Sequence, residues 1–198
     1  MKKDAEKLFF NDHQWNTIAA AMARIIPSDE TPGAEEAGCI VFIDRYLSGT
    51  DYIYAKPDGS GFIELKGKEL EAYKKRIGML QKKYIYGIQT LDRLSNASFK
   101  EVFCNLSEEK QDEILRQMEK IGQSKELSPQ QVLPEEDYDF FSLLVIHTRH
   151  GFYSDPVYGG NKDHIGWKLI GFPGPKSLKE AHSGNYTTLP YFASNTEN

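Results

Sequence analysis

Between Lys68 and Leu94 the residues Leu70, Tyr73, Ile77, Leu80, Tyr84, Ile88 and Leu91 follow one another in steps of three and four. Apolar side chains at that spacing share one face of an α-helix. The stretch therefore predicts one long helix with a single apolar seam, and a seam of that length has to be covered. A partner coiled coil could cover it, but packing within the chain is the expectation, because 198 residues suffice for one domain with a real core.

Other segments supply the cover. In "FFNDHQWNTIAAAMARIIP", Asn11 with Gln14 three residues on reads as a capping box, and Phe10 with Trp15 as a hydrophobic staple. Trp15, Ile18, Ala19, Met22, Ile25 and Ile26 then form the buried stripe, and Pro27 stops the helix. A second helix follows the Pro32-Gly33 turn, with Glu35 and Glu36 at its positive end and Gly49 just past its last turn. Within it Asp44 and Arg45 read as an exposed ionic face rather than a catalytic pair. "YAKPDGSGFIEL" reads as a loop or short hairpin.

Ser98 is placed to cap a short helix carrying Phe99, Val102 and Phe103. Ser107 is placed to cap another with Ile114, Leu115, Met118 and Ile121 inward and Gly122 at its end. After the polar connector "QSKELSPQQVLPEED" a last helix, about 135–150, turns Tyr138, Phe141, Leu144, Val145 and Thr148 inward, with Gly151 as its cap. The expected fold is mainly α: a helical bundle of five or six helices, residues 1–150, followed by an extended arm, residues 151–198, packed on or beyond the bundle.

The net charge of -5 argues against nucleic acid or an anionic membrane surface as partner, since both need a basic face. The most apolar helix-like run, Ile18 to Ile26, is too short to span a bilayer and contains Arg24. Direct membrane insertion is not expected. Cys39 and Cys104 are too few for a disulfide framework or a zinc ribbon. Each is expected to serve as a small buried apolar residue, with a bond between them or to a second chain as the alternative.

Catalytic motifs are not evident. There is no Gly-x-Ser-x-Gly, no phosphate-binding loop and no dinucleotide fingerprint. The candidate for chemistry is "HTRHGFYSDPVYGGNKDH", where His147, His150, Asp155, Asp163 and His164 offer nitrogen and oxygen ligands. A stand-alone metal-dependent enzyme using His147, His150, Asp155 and His164 is the reading this supports. Against it, the spacing fits neither the His-Glu-x-x-His helix nor a calcium loop. The plainer alternative is that His147 is a hydrogen-bonded interior residue and that His150 interacts with the helix C-terminus.

Residues 151–175, "GFYSDPVYGGNKDHIGWKLIGFPGP", hold 6 of the 16 glycines and five aromatic residues. Glycine and proline set a defined, non-repeating backbone path, while tyrosine and tryptophan offer large contact area with one polar atom. Such a segment is too aromatic for disorder and must pack on something, either its own bundle or another protein.

Three stretches resemble a known family. "ARIIPSDETPGAEEAGCIVFIDRYL", "SFKEVFCNLSEEKQDEIL" and "GFYSDPVYGGNKDHIGWKLIGFPG" are similar, in that order, to the signature blocks and middle segment of the gluconate 2-dehydrogenase subunit 3 family. The resemblance implies a small accessory subunit without catalytic residues, metal or cofactor of its own. Its partner would be a large FAD-dependent dehydrogenase of the glucose-methanol-choline (GMC) type, which oxidises a sugar, sugar acid or alcohol and commonly passes electrons to a cytochrome c subunit. The small subunit would support folding, stability, export or activity of the large one. Phe152, Tyr153, Asp155, Pro156, Tyr158, Gly159, Gly160, Asn161, Trp167, Phe172 and Pro173 would be the partner-facing or loop-shaping residues. Tyr158 and Trp167 would be the anchors, and Asp155 and Asn161 would satisfy loop backbone groups. Family members commonly carry a twin-arginine leader, whereas this sequence begins almost at its first helix. The expected location is cytoplasmic, or the periplasm or cell envelope where a leader has been removed or the partner supplies export.

Overall fold

The structure, a computed structural model, describes residues 6–49, 54–58, 60–122 and 134–175, with 179–180 and 183. Six α-helices are present among them: α1 Asp12–Ile25, α2 Cys39–Ser48, α3 Gly67–Phe99, α4 Glu108–Gly122, α5 Phe140–Tyr153 and the short α6 Ile165–Leu169. The chain is mainly α, as its periodicity predicts. The connector at 123–133 and most of the arm beyond Pro175 lie outside the described residues.

Helix α3 is the scaffold. Its seam residues Tyr73, Ile77, Leu80, Tyr84, Ile88 and Leu91 are all buried, and α1, α2, α4 and α5 of the same chain cover them. The helix continues to Phe99 with Lys100 in the left-handed region behind it. Ser98 therefore lies inside α3 and caps nothing; a 3-10 turn, Phe103–Asn105, stands where a short helix was expected.

Helix α1 starts with the capping box as read: Asn11 Oδ1 accepts the Gln14 N–H at 2.9 Å, and Gln14 Oε1 accepts the Asn11 N–H at 3.1 Å. Helix α2 begins at Cys39, later than expected. Glu36 Oε2 accepts the Gly33 N–H at 2.9 Å and the Ser28 hydroxyl at 2.5 Å, so this acid closes a turn instead of opening a helix. Gly49, at φ 98°, ends α2.

The expected ionic face at Asp44 is corrected outright. Asp44 is 1% exposed, and its carboxylate accepts the backbone N–H groups of Leu8, Phe9 and Phe10 at 2.7, 3.0 and 2.8 Å. These donors precede α1 and have no intrahelical acceptor, so the carboxylate satisfies them and seats Phe10 in the core.

Helix α4 buries Gln111, Ile114, Leu115 and Met118, while Ile121 is 55% exposed. Helix α5 starts at Phe140, five residues later than expected. Its cap is Asp139, which accepts the Ser142 N–H at 3.0 Å, and residues 135–137 form a separate 3-10 turn. The buried face is Phe140, Leu143, Leu144, His147, Thr148, Gly151 and Phe152. Phe141 and Val145 are only half-buried, because a helix apolar almost all round has no single stripe to read. Gly151 is inside α5 and not its cap; a Cβ there would lie 3.0 Å from the Cys39 Cα, so it permits the close approach of α2 to α5.

"YAKPDGSGFIEL" closes as a small hairpin with one antiparallel bridge, Ala55 to Phe62. No helix among the described residues is long and apolar enough to cross a membrane.

Candidate functional site

A helix leaves its last carbonyls without intrahelical donors. At the end of α5 the segment that follows supplies them. Asn161 N–H donates to Gly151 O at 2.7 Å, the Asn161 side-chain amide to Ser154 O at 2.8 Å, and Trp167 Nε1 to Tyr153 O at 2.7 Å. Lys162 N–H donates to Ala37 O at 3.0 Å and ties the same segment to the turn before α2. Residues 154–175 are thus an extended cap on α5, built from glycine, Asx and aromatic residues.

The cap has a costly backbone. Asn161, Asp163 and His164 lie at φ 47°, 55° and 60°, in the left-handed region that non-glycine residues seldom adopt. Such conformations persist where the surroundings over-determine them, and they concentrate at functional surfaces. Asn161 is fully buried, with its Oδ1 accepting the Gly166 N–H at 2.8 Å. Asp155 accepts the Val157 N–H at 2.9 Å and starts the 3-10 turn Pro156–Tyr158. Gly160 and Gly166 are places of close contact: a Cβ on either would sit 2.1 or 2.0 Å from the carbonyl oxygen of Gly151 or Phe152.

The sequence-derived candidates divide into two sets. Phe152, Gly160, Asn161 and Trp167 are buried in the chain itself. Trp167 is 7% exposed, between the rings of His164 and Phe172 at 5.0 and 5.2 Å. Asp155, Pro156, Tyr158, Gly159 and Phe172 are half-buried. Tyr158 packs on Phe62 and reaches the Ala55 N–H through its hydroxyl, so it fastens the small hairpin to the cap. Tyr153 and Pro173 are exposed, and beside them on the same segment are Leu169 and Ile170, 47% and 57% exposed. Sequence reasoning missed Leu169 and Ile170; the available signal was two adjacent aliphatic residues after an inward-facing tryptophan on a helix of barely more than one turn.

Elsewhere along α5 lies a largely buried polar cluster that sequence reasoning also missed, apart from an interior His147. Glu135 Oε2 accepts from the Tyr46 hydroxyl at 2.6 Å and from Arg76 at 2.5 Å, while Oε1 meets His147 Nε2. His147 Nδ1 lies 2.7 Å from the Tyr84 hydroxyl. One tautomer fits: Nε2–H donates to Glu135 and Nδ1 accepts from Tyr84. Burial works against the Glu135 charge, but hydrogen bonds from His147 and Tyr46 and the charge of Arg76 prevail, and its carboxyl is held below the usual range. Burial raises the Tyr46 and Tyr84 phenols far above theirs. Lys83 adds bonds to the Glu136 and Tyr138 carbonyls at 2.6 and 2.5 Å. Both imidazole nitrogens and both carboxylate oxygens are occupied by protein, so the cluster fastens residues 135–138 to α2, α3 and α5.

The four residues of the metal reading are not assembled. His147 is spent in the cluster, the His150 ring lies edge-on to Phe42 with its centroid 6.2 Å from that of His147, Asp155 caps its turn and His164 lies against Trp167. Among the described residues no group of three or more His, Cys, Asp or Glu side chains is placed to hold a metal ion. A cleft of about 600 Å³ opens between α3, α4 and α5, lined by Tyr86, Met118, Phe140 and Phe141 and edged by Lys83, Arg93, Asp137 and Asp139.

No curated protein and no solved structure matches the chain. The family model described as gluconate 2-dehydrogenase subunit 3 matches residues 12–174, from the first residue of α1 to the last glycine of the cap. The chain belongs to the gluconate 2-dehydrogenase subunit 3 family.

Proposed function

We propose that the chain is the small, non-catalytic subunit of a GMC-type FAD-dependent dehydrogenase complex, and that it docks on the large subunit through Tyr153, Leu169, Ile170 and Pro173. The observation that carries this reading is the pairing of exposed apolar side chains with a backbone fixed at unusual cost. A strained loop that is pinned by its own hydrogen bonds loses little further entropy on binding, which favours its use as a docking face. FAD belongs to the large subunit, which oxidises a sugar, sugar acid or alcohol, with a cytochrome c subunit as electron acceptor. The small subunit supports folding, stability, export or activity of the large one. Its compartment is that of its partner, the cytoplasm or the cell envelope.

The reading is tested by pulling the tagged chain from its native host. The expected eluate is yellow, with a flavin absorption band and one co-purifying protein several times larger. Ile170→Asp or Leu169→Asp should remove that protein while the chain stays folded. A colourless, monomeric product from the wild-type chain would overturn the proposal.

A further inference from the structure

Three reactive side chains from three elements meet on a different part of the surface. Cys104 is in the 3-10 turn Phe103–Asn105, half-buried and with a free thiol. Its Sγ lies 4.0 Å from Nδ1 of His13, in the first turn of α1. The other ring nitrogen, Nε2, is 2.6 Å from Oδ2 of Asp92 on α3. The second oxygen of Asp92 accepts the Phe103 N–H at 3.1 Å, so one carboxylate orients both the imidazole and the turn that carries the thiol. With Nε2–H donated to Asp92, Nδ1 carries the lone pair and is the ring nitrogen nearer the sulfur, at 4.0 Å. Nucleophile, base and orienting acid stand in the order that activates a nucleophile. The thiol also donates to Asn105 Oδ1 at 3.7 Å, and the Asn105 amide NH2 donates to Glu101 at 3.0 Å. The His13 side chain is 44% exposed, which leaves the site open to a small solute.

We propose that Cys104 is a redox modification site, a thiol activated by His13 and Asp92 for two-electron oxidation by hydrogen peroxide. His13 Nδ1 takes the thiol proton, and the thiolate sulfur attacks one peroxide oxygen. The S–O bond forms as the O–O bond breaks, and the departing hydroxide takes the proton back from His13 and leaves as water. Sulfur gives up two electrons, peroxide gains them, and Cys104 becomes a sulfenic acid, the reversible first step of thiol oxidation. Cys39 is the built-in contrast, since it is fully buried and its thiol is pushed up to about 12 by desolvation.

The test treats the purified full-length chain with hydrogen peroxide, traps sulfenic acid with dimedone and reads each cysteine peptide by mass spectrometry, with glutathione as reference thiol. Cys104 is expected to react roughly a hundredfold or more faster than glutathione, and Cys39 not to react. His13→Gln should bring the Cys104 rate down to that of glutathione with the helical circular dichroism unchanged, and Asp92→Asn should lower it in part. A wild-type rate no higher than that of glutathione overturns the proposal, whatever the variants do. So does a folded His13→Gln chain that keeps the wild-type rate.

Discussion

Trp167 Nε1 donates to the Tyr153 carbonyl at 2.7 Å, closing the end of α5 with an indole that comes fourteen residues later. The bond accounts for both halves of the relationship. Tyr153 O has no intrahelical donor, and a buried indole N–H needs an acceptor. It also decides which way the tryptophan faces, so the indole shapes the docking segment from inside and is not itself the surface offered to a partner.

Trp167→Ala should therefore destabilise the isolated chain by about 3–5 kcal/mol, the range for deleting a buried aromatic side chain. Ile170→Ser, at an exposed position, should change stability by no more than about 0.5 kcal/mol. Denaturant unfolding of the two variants without any partner checks the contrast. Equal and small effects would return Trp167 to the role of an external anchor.

Asp44 makes a similar long-range connection. Its Oδ2 accepts from Leu8, while Oδ1 accepts from Phe9 and Phe10. Asp44→Asn keeps one acceptor but turns an NH2 group toward a backbone donor. The expected cost is about 1–3 kcal/mol, the penalty of an unsatisfied buried group. Amide hydrogen exchange at residues 8–10 should accelerate beyond that at the middle of α3, and uniform protection in the variant would count against this role.

These two residues show what local pattern can and cannot reveal. Periodicity located α3 and its inner face, because a seam that long satisfies a helix and little else. It failed at α5, where apolar residues on nearly every side leave the face to be chosen by Asp139 and by contacts with α2. Asp44 next to Arg45 looks like an exposed pair because its three partners are more than thirty residues away. In the cap, the Asx roles of Asp155 and Asn161 follow from turn chemistry, whereas the inward direction of Trp167 depends on an orphan carbonyl that exists only once α5 is known to end at Tyr153. Tyr84 carried a readable hint, a phenol in an otherwise apolar seam, but nothing in the sequence names Glu135 as the end of that chain of hydrogen bonds.

The glycines of the cap and of the scaffold should respond in opposite directions. Gly160→Ala places a Cβ 2.1 Å from the Gly151 oxygen, a backbone atom that no rotamer change can move. A loss of about 1–3 kcal/mol or more is expected. Gly78, inside α3, has no atom within 4 Å of an added Cβ, and Gly78→Ala should stabilise by about 0.5–1 kcal/mol through helix propensity. Melting curves of the two single variants measure both signs; a destabilising Gly78→Ala would show that this face of α3 is not open.

The Glu135–His147 contact predicts a pH signature. Glu135 is held below its ordinary range in the folded chain, against the cost of burial, by its bonds to His147 and Tyr46 and by Arg76. A depressed folded value stabilises the fold above the unfolded carboxyl value, about 4.3, and that contribution disappears as pH falls through the folded value. Glu135→Gln keeps an acceptor for Tyr46 but loses the charge, and should cost about 1–3 kcal/mol at pH 7. Other carboxylates that titrate below their usual range, Asp112 among them, add their own acid sensitivity to both proteins, so the difference between them is the quantity to measure. Urea unfolding of wild type and variant from pH 5 down to pH 3 should give a gap that narrows steadily below about 4.3. A gap that does not change with pH would mean that Glu135 acts only as a neutral hydrogen-bond acceptor, and that its ionisation contributes nothing to fastening the 3-10 turn at 135–137 to the bundle.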